Sequence, residues 1–85
     1  MKPLGDLRKH YMLARTMADR LGVDVAEAAE DGRLSLEDWS EAVTRCRGCE
    51  APGACADWER DTAPGEADEA PGYCRNAQLF EALRP

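Results

Sequence analysis

Four cysteines, spaced Cys46-x2-Cys49-x5-Cys55-x18-Cys74, constrain this chain more than any other feature. The chain has 85 residues with one Phe, two Trp and two Tyr, and much of its 44% hydrophobic fraction is alanine. Alanine contributes little burial, and a domain of this size buries only about two thirds of its unfolded surface. Its core is therefore marginal, and a centre shared by four thiols would supply the missing stability.

The first residues mix Lys2, Asp6 and Arg8 with Leu4 and Leu7, without the charged-then-apolar order of a secretory leader. The expectation is a cytoplasmic protein. In a reducing compartment, grouped cysteines more often bind metal or do redox work than form lasting disulfides.

The formal net charge is −6, which argues against nucleic acid, whose nonspecific binding runs on clustered Lys and Arg. Seven acids lie between Glu50 and Glu69, offset only by Arg60. Anionic lipid is disfavoured for the same reason, and no apolar run approaches the roughly 20 residues of a membrane span. The partner expected is a protein, with the oligomeric state left open.

Helical punctuation is dense in the first half. Leu7, Tyr11, Ala14, Ala18 and Leu21 form one apolar stripe, which predicts a helix from about Asp6 to Leu21 closed by Gly22. Asp24 and Glu27 make a capping box for a short helix, Val25 to about Glu30, ended by Gly32. Ser35 caps a third helix, in which Leu36, Trp39, Val43 and Cys46 are spaced for one buried face. Pro52 opens a fourth helix to about Asp61, with Cys55 and Trp58 on its inner side. Residues 62–72 read as a mobile acidic Pro/Gly-rich loop. A last helix from about Cys74 to Leu83 returns Ala77, Leu79, Phe80 and Leu83 to the core. No segment alternates for long enough to be a strand. The fold expected is all-α, a single domain over 1–85 built as a small bundle of four to five short helices around a four-cysteine centre.

Gly48 permits the tight turn that lets Cys46 and Cys49 face one point. Thioredoxin-like pairs open a helix after a strand, whereas this pair closes a helix, so the thiol-disulfide reading lacks its context. Cys55 and Cys74 are expected at the starts of helices, where the dipole favours a thiolate. Arg45, Arg47 and Arg75 flank the cysteines and could offset the negative charge of a thiolate-bound centre, or be ordinary cations near helix ends. The spacing matches neither ferredoxin run, and a second C-x2-C zinc knuckle is missing. An iron–sulfur cluster held by Cys46, Cys49, Cys55 and Cys74 is the first choice, zinc the second. Free thiols, or disulfides pairing Cys46 with Cys74 and Cys49 with Cys55, come third.

The run Arg20-Leu21-Gly22-Val23-Asp24, then Gly32-Arg33-Leu34-Ser35, Cys46-Arg47-Gly48-Cys49, Cys55 with Trp58, and Cys74 with Asn76 resembles a family of short bacterial proteins that share a domain of unknown function. The resemblance covers about Met17 to Leu83. It implies that the four cysteines, Trp58 and Asn76 belong together, and it carries no activity. The family often has proline after the last cysteine, where this chain has Arg75.

Three other signals are set aside. Glu27, Asp31, Gly32 and Asp38 align with a calcium-binding loop, but Ala29 offers no oxygen and Asp38 is shorter than the bidentate Glu required. His10, the lone histidine, is read as a surface residue on the polar side of the first helix. Trp39 and Trp58 are read as core. The resulting expectation is a non-enzymatic metal-binding or iron–sulfur accessory, sensor or interaction module, with a small electron carrier or thiol-disulfide redox protein as the alternative.

Overall fold

A computed structural model describes residues 4–84 of the chain. The ends of the expected 1–85 domain, residues 1–3 and 85, lie outside the described residues. Five helices follow in order: α1 (Leu7–Arg20), α2 (Val25–Glu30), α3 (Leu36–Arg47), α4 (Pro52–Arg60) and α5 (Ala77–Leu83). The described residues contain no strand, so the architecture is all-α as expected.

Local chemistry sets the helix ends. Asp6, Asp24 and Ser35 each accept a hydrogen bond from the backbone amide three residues on, at Lys9, Glu27 and Asp38. Gly22 and Gly32 sit at φ of +77° and +75° just past α1 and α2, a conformation open to glycine at little cost. Those caps account for the residues of the calcium-like loop without an ion. Pro52 stands at the start of α4, where its missing N–H is no loss.

One hydrophobic cluster draws on all five helices. Leu13, Met17, Ala18 and Ala28 meet Phe80 and Leu83, with Trp39 and Trp58 half-buried against them. Helix α1 packs chiefly on α3 and α4. Its buried line is not the expected one. Ala14, Ala18 and Leu21 are buried as read, but Leu7 is 57% exposed, while His10, Leu13 and Met17 face inward. Turning α1 this way buries two long side chains in place of Leu7, and leaves Tyr11 at the rim, edge-on to Trp39 at 6.1 Å between centroids. In α3 the same correction holds for Leu36, which is 85% exposed, while Ala42 and Val43 are buried.

Residues 62–72 are expected to be a free loop, yet they are fastened at two points. The amides of Gly65 and Ala67 donate to the carbonyls of Asp19 and Arg20 at 3.0 and 3.1 Å. These carbonyls belong to the last turn of α1; Asp19 O also accepts from the Gly22 amide at 3.1 Å, whereas Arg20 O has only the loop donor. Ala67 and Ala70 pack against the core from the same loop. No described helix is long and apolar enough to cross a membrane.

Candidate functional site

Four separate chain segments deliver the cysteines to one place. Cys46 ends α3, Cys49 follows in the turn after it, Cys55 lies in the first turn of α4, and Cys74 precedes α5. All four line a single cavity, floored by Leu13, Met17 and Phe80. Each is a free thiol, so the disulfide pairings considered above are not formed. Among the described residues, no three Cys, His, Asp or Glu side chains converge as a single-ion site requires.

The local partners of each sulfur differ. The Cys46 thiol donates to the His10 carbonyl at 3.4 Å and lies 3.8 Å from His10 Nδ1. Cys49 Sγ accepts from the Ala51 amide at 3.4 Å and faces the Tyr73 carbonyl at 3.9 Å. The Cys55 thiol donates to Glu59 Oε2 at 3.5 Å. The Asn76 backbone amide bonds to the Cys74 sulfur.

Electrostatics here oppose the thiolate form. Burial, then the Cys49 and Cys74 thiols, push Cys46 up to about 11. Burial and Glu59 push Cys55 up as well. The thiolate expected at a helix N-terminus is therefore not favoured at Cys55, because burial and a neighbouring carboxylate outweigh the dipole. Cys74 does not open a helix at all: α5 begins three residues later at Ala77, and Cys74 sits in a turn held by its amide to the Pro71 carbonyl. Its thiol is also pushed up, first by burial.

Two polar residues at the site were not singled out as site residues in the sequence. His10 is buried at 4% exposure instead of lying on the surface. The segment before α1 lies over its ring: a side chain at Gly5 would meet His10 Nε2 at 2.2 Å. Arg47 fastens that segment, donating through Nε to the Gly5 carbonyl at 2.8 Å and accepting the Gly5 amide at its own carbonyl at 3.0 Å. Nothing local in the sequence marks His10 as buried. Glu59 is buried too, at 5% exposure, and its signal was available: it stands four residues after Cys55, on the same helical face.

Burial holds the Glu59 carboxyl up at about 7, although Cys55 and Arg20 both lower it. A raised folded-state value means that Glu59 supports the fold at low pH, and that this support is lost as pH rises through about 7. Metal-free, reduced protein is expected to lose about 2 kcal/mol more stability between roughly pH 5 and 8 than its Glu59→Gln variant does. Urea unfolding of both proteins at the two pH values checks this; parallel pH profiles would assign the carboxyl an ordinary titration.

The flanking arginines tie the site's segments together. Arg45 Nε donates to Asn76 Oδ1 at 2.8 Å, and Arg75 Nη1 donates to the Gly48 carbonyl at 3.2 Å. Among the described residues neither these two nor Arg47 is ion-paired with a carboxylate. Asn76, 3% exposed, completes the link by donating through Nδ2 to the Ala42 carbonyl at 2.8 Å.

The family model described as "Family of unknown function (DUF6455)" matches residues 1–85. The chain belongs to that family. The DUF6455 match spans the cysteines together with Trp58 and Asn76. In the structure Asn76 lines the cysteine cavity and its amide bonds to Cys74, whereas Trp58 packs against the hydrophobic core and does not line that cavity. No curated protein and no solved structure matches the chain.

Proposed function

We propose that this DUF6455 chain is a small cytoplasmic metal-binding module whose four cysteines hold an iron–sulfur cluster, acting without catalysis of its own as an accessory or sensor to a protein partner. One observation carries the reading: thiols from four chain segments line one cavity, and none is consumed in a disulfide. The donor set fits such a group, since soft thiolates select iron–sulfur centres and zinc. A cluster sets its thiolates about 7 Å apart, against about 4 Å for one zinc ion, so the spacing of the four sulfurs in loaded protein would separate the two. Zinc is the second reading on the same ligands.

Four thiolates around a doubly charged cation or cluster core leave about two negative charges. Arg45, Arg47 and Arg75 adjoin the ligands in sequence and bond to neighbouring polar groups, while the Glu59 carboxyl, bonded to Cys55, adds to the negative side when ionised. When bound, a cluster would supply one-electron chemistry; the chain's own residues contribute the ligands, the burial and the hydrogen bonds around them. A thiol-disulfide role has less support, because an attacking cysteine needs a lowered pKa and Cys46 and Cys55 are both raised.

Anaerobic purification followed by iron, acid-labile sulfide and zinc analysis tests the proposal. Iron and sulfide together, with visible charge-transfer absorbance, are the expected result. Zinc without visible absorbance would establish the second reading. Four titratable thiols with neither metal, in both aerobic and anaerobic preparations, would overturn both.

A further inference from the structure

Tyr73 carries a hydroxyl that the fold leaves without a partner. Its ring packs on the core and lines the same cavity as the four cysteines. The hydroxyl oxygen is fully buried, and it makes no hydrogen bond among the described residues. Buried hydroxyls are paired in nearly all folds, because an unpaired one costs its lost hydration. Phenylalanine would fill the same space without that cost. The ionisable groups that bear on the phenol, after burial itself, are Cys55, Cys49, Cys74 and Glu59, in keeping with its place in the lining of the cysteine cavity.

A neutral thiol is a weak acceptor, whereas a metal-bound thiolate or sulfide is a strong one. We propose that the Tyr73 hydroxyl donates a hydrogen bond to a sulfur of the centre held by Cys46, Cys49, Cys55 and Cys74, positioning that centre and tuning its affinity and potential. This rests on the metal-binding reading of the four cysteines. The bond draws electron density from the sulfur, which favours the more negative, reduced form of a cluster and raises its potential.

Tyr73→Phe tests the inference with effects of opposite sign in the two forms of the protein. In metal-free, reduced protein the variant removes an unpaired hydroxyl, so its thermal midpoint is expected to equal or exceed that of wild type. In the metal-loaded protein the variant is expected to bind about 10-fold more weakly, read as faster loss to a chelator, and an iron–sulfur form is expected to show a lower potential. Chelator loss and, for a cluster, potential identical to wild type would overturn the proposal and leave the hydroxyl to an ordered water. A lower midpoint in the metal-free variant would likewise overturn it, since the hydroxyl would then have a partner within the protein. Wild type that takes up neither iron nor zinc would defeat the metal-binding reading itself, and this inference with it.

Discussion

Cys55→Ser is expected to abolish metal binding and, with it, the extra thermal stability of the metal-loaded protein, leaving a midpoint close to that of the metal-free form. A serine hydroxyl is a poor ligand for the soft metals that thiolates select. Binding to a structural site contributes about 10–16 kcal/mol in small zinc domains, and that free energy is folding free energy. A whole domain is stable by only about 5–15 kcal/mol, so the centre is expected to supply a large share of the stability of the loaded form and the metal-free fold to be the weaker of the two. The small core makes this acute: among the described residues Phe80 is the only large side chain below 2% exposure. In metal-free protein the same substitution is expected to cost only about 1 kcal/mol, because serine can still donate to Glu59 where the Cys55 thiol does. Metal analysis and circular-dichroism melts of both forms check the contrast. Full metal content in the serine variants at all four positions would remove the cysteines from the site.

Asn76→Ala is expected to destabilise the protein by about 3 kcal/mol, a fall in Tm on the order of 10–20 °C. The side chain is buried and makes two bonds of 2.8 Å, accepting from Arg45 and donating to the Ala42 carbonyl. One of the two is charge-assisted, and truncation leaves a void as well. The loss also reaches the site, since Arg45 immediately precedes Cys46 and Asn76 follows Cys74 by two residues. Metal-loaded protein is therefore expected to release its metal faster in the variant. Asn76→Asp separates the bonds: it keeps an acceptor for Arg45 but turns an oxygen toward Ala42 O and adds a negative charge beside four thiols. It is expected to be at least as damaging as alanine near neutral pH, measured by thermal melts. A variant as stable as wild type would show that the buried amide does not hold α3 to the Cys74 segment.

What the sequence determined by itself is what depends on neighbours a few residues away. The starts of α2 and α3 were legible because Asp24 and Ser35 bond an amide three residues on, and their capping chemistry is local; α1 was placed from its apolar spacing, and the cap at Asp6 is a further local feature. Gly22 and Gly32 marked two ends for the same reason. That the four cysteines share one cavity was also foreshadowed, since their grouping in a small chain with a weak core has few other physical uses. Glu59, four residues from Cys55 on one helix, could have been read from spacing alone.

The tertiary structure decided which way each helix faces. The wheel of α1 offers two adjacent apolar lines, and packing on α3 and α4 chose the one with Leu13 and Met17 over Leu7. That choice carried His10 inward to Cys46, a contact between residues 36 apart that no local pattern encodes. The 62–72 loop was likewise settled at long range, because the amides of Gly65 and Ala67 reach the carbonyls of Asp19 and Arg20 at the open end of α1, the latter having no nearer donor. Caps and turns are fixed by hydrogen bonds within one turn of chain, whereas burial is a property of the partner surface, and for a chain this short that surface exists only once all five helices have met.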